Sequence, residues 1–100
     1  MSEFFKSRLD VAHALIDEQR YDEAVEIIQN LKIRIHTPEL LTKVTIHDNE
    51  VEKEYNNRYL NISQHAGDPY ESFNRVMENK KWRAQEYLKY YDLMSIENDL

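Results

Sequence analysis

Several residue types are scarce or missing in this 100-residue chain, and each shortage excludes a class of protein. The absence of cysteine excludes a disulfide scaffold, a thiolate zinc site and a cysteine nucleophile. The single glycine, Gly67, excludes a phosphate-binding loop, because such loops need several residues without side chains. No apolar run approaches the roughly 20 residues of a membrane span, and residues 1–10 do not resemble a signal peptide. We therefore expect a protein of the reducing cytoplasm.

Basic charge is also in short supply, since thirteen lysines and arginines face nineteen acidic residues and leave a net charge of −6. Hydrophobic residues make up 41% of the chain, and a chain of this length buries roughly 60–70% of its unfolded surface. One domain spanning residues 1–100 is therefore expected. With two prolines and one glycine, the sequence disfavours a β-sandwich or barrel, whose many turns consume both residue types. An all-α fold is the prediction.

Two helix starts are marked by prolines. Thr37 precedes Pro38, and Asp68 precedes Pro69. A threonine or aspartate side chain can accept a hydrogen bond from the first unpaired N–H groups of a helix, and the fixed φ of proline suits the first turn. Gly67 is expected to adopt a left-handed conformation after the preceding helix.

The first 36 residues have the apolar spacing of two helices. Four polar residues, Asp17 to Arg20, interrupt the apolar spacing. The interruption predicts a short turn between two helices, which would form a helical hairpin. The predicted buried stripes are Phe5, Leu9, Ala12 and Ile16 in the first helix and Tyr21, Ala24, Ile28, Leu31 and Ile35 in the second.

Beyond Pro38 the apolar stripes continue, but a polar pair interrupts each of them, His47–Asp48 and then Lys80–Lys81. In one interpretation a new helix begins near Asn49, and the chain is an array or bundle of antiparallel hairpins with four to six helices, in units 3–36, 37–67 and 68–96. In the other, a few long helices tolerate the polar pairs. The later stripes are Leu40, Leu41, Val44, Val51, Tyr55, Tyr59 and Ile62, followed by Phe73, Met77, Ala84, Leu88 and Tyr91.

Residues 32–47 allow a further alternative, a β-hairpin in an α+β fold. Residues 32–36 and 43–47 both alternate polar and β-branched side chains, which is typical of strands. Against this interpretation, the connecting residues include Pro38, which favours a helix start, and the loop would expose two leucines. The eleven-residue offset of the two segments also matches three helical turns.

Residues 8–34 resemble one tetratricopeptide-type helical hairpin. The resemblance rests on Ala12 in the first helix and on Tyr21, Ala24 and Ile28 in the second. In that family small residues let the paired helices approach closely, and the tyrosine fills the groove beside the turn. Gln19 departs from the pattern, since the family often has glycine there, and the later segments lack the signature. The resemblance implies a scaffold that binds peptides or other proteins without chemistry of its own.

Candidate catalytic and metal-binding groups are sparse. His47, Glu50 and Glu54 could point the same way from a helix and offer an imidazole and two carboxylates to a cation. Ordinary surface charge explains the same residues, because Glu54 can pair with Arg58 one helical turn further on. No serine lies on a glycine-flanked turn that would expose a nucleophile. We therefore expect no enzyme activity, no cofactor and no bound metal.

Candidate partner-binding residues form two groups, the first in residues 79–91. This segment combines four basic residues with four of the eleven aromatic residues. Trp82 and Tyr90 lie off the apolar stripe, which leaves three interpretations: a protein-binding hot spot, a surface that stacks on unpaired bases, and packing of Trp82 into a groove of the fold. This basic-aromatic group consists of Lys80, Lys81, Trp82, Arg83, Lys89 and Tyr90.

The second group is acidic and lies in the predicted first hairpin, where it either faces solvent or steers the protein onto a basic partner. We expect a small non-enzymatic protein–protein interaction module, an adaptor or inhibitor that docks on a larger protein, with self-association left open. The alternative is a nucleic-acid-associated accessory protein that uses residues 80–91, which the negative net charge disfavours. Richness in Asn, Lys, Ile and Tyr suits a bacterial or phage origin. The acidic group consists of Asp17, Glu18, Asp22, Glu23 and Glu26.

Overall fold

The computed structural model describes residues 1–64 and 67–100. These residues form four α-helices, α1 (Glu3–Asp17), α2 (Tyr21–Leu31), α3 (Pro38–Gln64) and α4 (Pro69–Glu97), and a 3-10 turn at Lys32–Arg34 follows α2 directly. The predicted all-α class is confirmed, and there is no strand in either described range. The β-hairpin considered for residues 32–47 is wrong, because the 3-10 turn and the beginning of α3 occupy that segment.

Local signals set the helix ends close to their predicted positions. α3 begins at Pro38, and α4 begins at Pro69 with the Asp68 carboxylate accepting a hydrogen bond from the Tyr70 N–H at 2.9 Å. The expectation of a left-handed Gly67 is wrong, because its φ is not positive. The predicted unit 37–67 also includes residues 65–66, which lie outside the described residues.

α3 and α4 are each one long helix. The predicted helix start near Asn49 is wrong, because α3 runs without a break from Pro38 to Gln64. The polar pair in its stripe is accommodated by α4: Asp48 is buried and accepts a hydrogen bond from the Tyr91 hydroxyl at 2.8 Å. The interpretation of long helices that tolerate polar pairs therefore describes this half of the chain.

α4 is the central helix, since it packs against α1, α2 and α3, while α1 and α2 also pack against each other. The alanine side chains of Ala12, Ala24 and Ala84 are fully buried, and their small size lets neighbouring helices approach closely. The remaining buried apolar residues are Phe5, Leu9, Leu15, Tyr21, Val25, Ile28, Leu31, Ile35, Leu40, Val44, Val51, Tyr87, Leu88 and Tyr91.

The distal parts of α3 and α4 extend beyond the shorter helices. At about 1.5 Å per residue, α3 is about 40 Å long, against about 22 Å for α1 and about 16 Å for α2. Residues 52–64 of α3 and 69–78 of α4, which we call the arm, contain no buried side chain. Tyr59 and Phe73 of the predicted stripes are therefore exposed, because α1 and α2 are too short to cover them.

Candidate partner-binding site

A row of polar side chains joins α3 to α4 and fixes part of the basic-aromatic group. The Asp48 carboxylate accepts a hydrogen bond from the Tyr91 hydroxyl and also lies 2.9 Å from Nδ1 of His47. The His47 ring stacks on Tyr90, with ring centroids 3.9 Å apart and planes 7° from parallel. Burial and the neighbouring Asp48 carboxylate raise the pKa of the Tyr91 hydroxyl. Tyr90, predicted as a partner-binding residue, is therefore held by contacts within the fold.

One helical turn further along α3, Glu52 binds two residues of α4. Its carboxylate accepts hydrogen bonds from Arg83 Nε at 3.0 Å and from the Tyr87 hydroxyl at 2.9 Å. The Arg83 guanidinium also lies 4.7 Å from the centroid of the Tyr55 ring. Burial raises the pKa of the Tyr87 hydroxyl. Only 18% of the Arg83 side chain is exposed, so most of its binding capacity is used inside the molecule.

The two predicted partner-binding groups also contact each other. Lys80 Nζ donates a hydrogen bond to the Asp22 carboxylate at 2.6 Å, and Arg83 lies 3.9 Å from the same carboxylate. The hydrogen bond to Asp22 raises the pKa of Lys80. These contacts link α2 to α4, so the basic and acidic groups partly neutralise each other.

Arg20 forms ion pairs with two more members of the acidic group. Its guanidinium donates to Glu23 at 2.8 Å and to Glu18 at 3.2 Å, and the hydrogen bond from Arg20 lowers the pKa of the Glu23 carboxyl. Asp17 and Glu26 are the members that make no ion pair within residues 1–64 and 67–100. Three of the five carboxylates of the acidic group therefore lie beside cations of the fold.

Trp82 and Lys81 remain available at the surface. Trp82 is half-buried against the core, and the Arg58 guanidinium lies 3.9 Å from the centroid of its ring. Arg58 also donates to Glu54 at 2.9 Å, which confirms the predicted pair. Lys81 is half-buried and makes no ion pair with another described residue, whereas the exposed Lys89 lies 3.3 Å from the Glu86 carboxylate.

Trp82 and Lys81 line an open groove of about 750 Å³ between α3 and α4, which begins in the arm. Asn79 lies at the buried side of this groove, and its Nδ2 donates to the Tyr55 carbonyl at 3.1 Å. The Oδ1 atom of Asn79 has no hydrogen-bond partner among the described residues. The groove is lined by Glu54, Asn57, Arg58, Asn61, Ile62, Arg75, Glu78, Asn79, Lys81, Trp82 and Gln85.

The arm also exposes large apolar side chains. Tyr59 and Leu60 of α3 are 48% and 56% exposed, and Tyr70 and Phe73 of α4 are 82% and 63% exposed. Contiguous exposed apolar patches are typical of binding surfaces, whereas single exposed apolar residues are common on any protein. The arm therefore combines a groove with apolar surface.

The described residues offer no centre for metal chemistry. They contain no group of three histidine or carboxylate side chains that could hold a metal ion. The alternative of a cation site at His47, Glu50 and Glu54 is wrong, because His47 is instead bound to Asp48 and stacked on Tyr90. Among the helices in the described ranges, none is long and apolar enough to cross a membrane.

Comparison with protein-family models, with curated proteins and with solved structures finds no match to this chain. The resemblance of residues 8–34 to a tetratricopeptide-type hairpin stays a prediction.

Sequence reasoning identified the α4 side of the groove, through Trp82 and Lys81, but missed the α3 side. It treated Arg58 as a partner of Glu54 alone, although Arg58 also covers the Trp82 ring. The two residues are 24 positions apart on different helices, and no local pattern reports such a contact. The run of polar residues around Asn57 and Asn61 was the one available hint, because it flanks the predicted stripe.

Proposed function

We propose that the protein is a small non-enzymatic interaction module, an adaptor or inhibitor that docks on a larger protein through the arm groove. The observation that carries this proposal is Trp82, a half-buried aromatic ring capped by Arg58 in a groove that α1 and α2 leave uncovered. Tryptophan, tyrosine and arginine supply most of the binding energy at protein interfaces, because they combine large apolar area with directed polar contacts.

The rest of the groove has the composition of an interface rim. Arg75 and Lys81 contribute positive charge, Glu78 contributes negative charge, and asparagine side chains add neutral donors and acceptors. A polar rim around an aromatic centre is the usual arrangement at non-obligate protein interfaces. The exposed apolar residues of the arm would extend the contact beyond the groove.

The nucleic-acid alternative has less support. Binding to phosphates depends on several cations that are free to replace counterions. In the basic-aromatic group, Lys80 and Arg83 are paired with carboxylates of α2 and α3, and Lys89 lies beside Glu86. This pairing leaves Lys81 as the member without an ion pair in the described part of the chain.

The proposal also covers the pairing of the helices, the cellular setting and the origin of the protein, as expected from the sequence. It treats α1–α2 and α3–α4 as antiparallel hairpins of a small bundle, with the first pair as the support and the second as the binding element. It also retains the expected cytoplasmic setting and bacterial or phage origin.

The direct test compares immobilised wild-type chain with Trp82→Ala and Arg58→Glu as baits in a lysate, with identification of captured proteins by mass spectrometry. A partner that docks in the groove should bind each variant at least about tenfold more weakly, because both changes remove the central contact. Lys43→Glu is the charge-matched control, since Lys43 is exposed and lies outside the groove.

Unfolding in urea decides how a loss of binding is interpreted. Because Trp82 is only half-buried, Trp82→Ala should reduce the free energy of unfolding by less than about 2 kcal/mol. A reduction of about 3–5 kcal/mol would instead identify Trp82 as a core residue. Partners that bind wild-type chain and both groove variants equally would contradict the proposal.

A further inference from the structure

A second apolar surface lies where α1 begins and α2 ends, away from the arm. Phe4 exposes 40% of its surface and Ile33 exposes 77%, and both line a cavity of about 270 Å³. The 3-10 turn at Lys32–Arg34 creates this surface, because it leaves Ile33 in solvent while Ile35 is buried. We call Phe4, Arg8, Ile27, Ile33 and Arg34 the Phe4–Arg34 surface.

Two arginines give this surface a positive charge. The Arg34 guanidinium lies 4.0 Å from the centroid of the Phe4 ring, and the Arg8 guanidinium lies 5.8 Å from it. Neither arginine makes an ion pair with another described residue, and no residue that lines the cavity is acidic. In a chain with a net charge of −6, such a site is a local exception.

The position of the Arg34 guanidinium over the Phe4 ring leaves N–H donors for another molecule. A guanidinium that lies over an aromatic ring makes this contact through its face, so its N–H groups at the edge remain available for oxygen atoms. Those N–H groups form pairs of parallel hydrogen bonds with carboxylates. The surface therefore presents carboxylate-binding donors beside an exposed isoleucine and a half-exposed phenylalanine.

We propose that the Phe4–Arg34 surface binds an acidic segment of a protein partner in which carboxylates flank a hydrophobic side chain. The carboxylates would pair with Arg8 and Arg34, and the hydrophobic side chain would cover Ile33 and Phe4. This inference goes beyond the function proposed for the arm groove, because it concerns other residues and a partner of defined charge. A nucleic acid fits the surface less well, since two arginines neutralise few phosphates and Arg34 already lies over the Phe4 ring.

The test is a selection of random linear peptides displayed against the full-length chain, followed by affinity measurement on one enriched synthetic peptide. The expected peptides contain Asp or Glu on both sides of Leu, Ile or Phe. The double variant Arg8→Glu/Arg34→Glu should bind the chosen peptide at least about tenfold more weakly. Arg34→Lys should bind with intermediate affinity, because lysine keeps the charge but not the paired donors.

Three controls make the test decisive. Trp82→Ala should bind the peptide as wild type does, which separates this surface from the arm groove. Circular dichroism should show equal helix content in every variant, since Arg8 and Arg34 are exposed. A peptide with the acidic residues kept and the hydrophobic residue replaced by serine should lose most of its affinity.

The proposal is overturned if the enriched peptides that still bind Trp82→Ala are not acidic, or if no such peptide is enriched. It is also overturned if the charge-reversed double variant binds the chosen peptide as tightly as wild type. Competition by a single-stranded RNA oligonucleotide at equal concentration would identify a general anion site instead.

Discussion

Gln19 forms the turn between α1 and α2 in a left-handed conformation, with φ of 64°. Its N–H donates to the Ile16 carbonyl at 3.0 Å, and the Arg20 N–H donates to the Leu15 carbonyl at 2.8 Å. The backbone hydrogen bonds therefore fix the turn. Any residue with a Cβ atom is strained in this conformation, because the Cβ approaches the following carbonyl oxygen.

Replacement of Gln19 by glycine should stabilise the protein. We expect Gln19→Gly to raise the free energy of unfolding by about 0.5–1 kcal/mol, the strain relieved less the extra chain entropy of glycine. Urea unfolding followed by circular dichroism measures this difference. Gln19→Ala is the matched control and should leave the stability nearly unchanged, because alanine keeps the Cβ atom. A loss of stability in Gln19→Gly would show that the side chain, and not the backbone conformation, matters at this position.

At the scale of the secondary-structure element, the contact between α3 and α4 depends on tyrosine hydroxyl groups as well as on apolar packing. Tyr87 donates to Glu52 at 2.9 Å, and Tyr91 donates to Asp48 at 2.8 Å. Burial raises the pKa of both hydroxyls, because a phenolate would be poorly solvated and would face a carboxylate. These hydrogen bonds explain how a polar pair can lie in the apolar stripe of α3 without ending the helix.

The raised pKa of both tyrosines predicts a loss of stability in alkaline solution. As the pH rises past the ordinary tyrosine pKa of about 10, the unfolded chain releases these protons before the folded chain does. The free energy of unfolding should therefore fall with pH above about 10. Lys80, whose pKa is also raised, acts in the same direction.

The free energy of unfolding in urea, measured below and above pH 10, shows how much the two tyrosines contribute to this loss of stability. The variant Tyr87→Phe/Tyr91→Phe should be less stable than wild type at neutral pH, because Glu52 and Asp48 each lose a donor. Its stability should nevertheless fall less steeply as the pH rises. If wild type and variant lose stability in parallel, the two hydroxyls do not control the alkaline transition.

The sequence was sufficient for the elements whose signals are local. The Asp68–Pro69 helix start and the turn after Asp17 depend on neighbouring residues, and both occur where the pattern predicts them. The continuity of α3 could not be predicted, because the partner that satisfies Asp48 is Tyr91, 43 residues away. The hydrogen bond between Lys80 and Asp22 could not be predicted either, because the two residues are 58 positions apart.

At the scale of the whole molecule, unequal helix lengths create the candidate site. The molecule extends 46 Å along its longest axis and 17 Å along its shortest, because α3 and α4 continue past the two shorter helices. α1, α2, the first half of α3 and the covered part of α4 form the core. The arm keeps a groove and apolar side chains that the rest of the chain cannot cover.

The ion pairs also distinguish the surface around α2 and α4 from the groove. Cations of the basic-aromatic group bind carboxylates of α2 and α3, so this part of the surface is largely self-neutralised. In the groove, Trp82 and Lys81 keep their capacity to bind another molecule. These contacts support the proposal that a protein partner docks in the groove.

Photo-crosslinking in the source cells tests this conclusion most directly. A photoreactive residue at Gln85, which is exposed and lines the groove, should yield a covalent product with a discrete protein. The same residue at Val11, exposed on α1 outside the groove, should yield no such product. A product formed from Val11 and not from Gln85 would contradict docking through the arm groove.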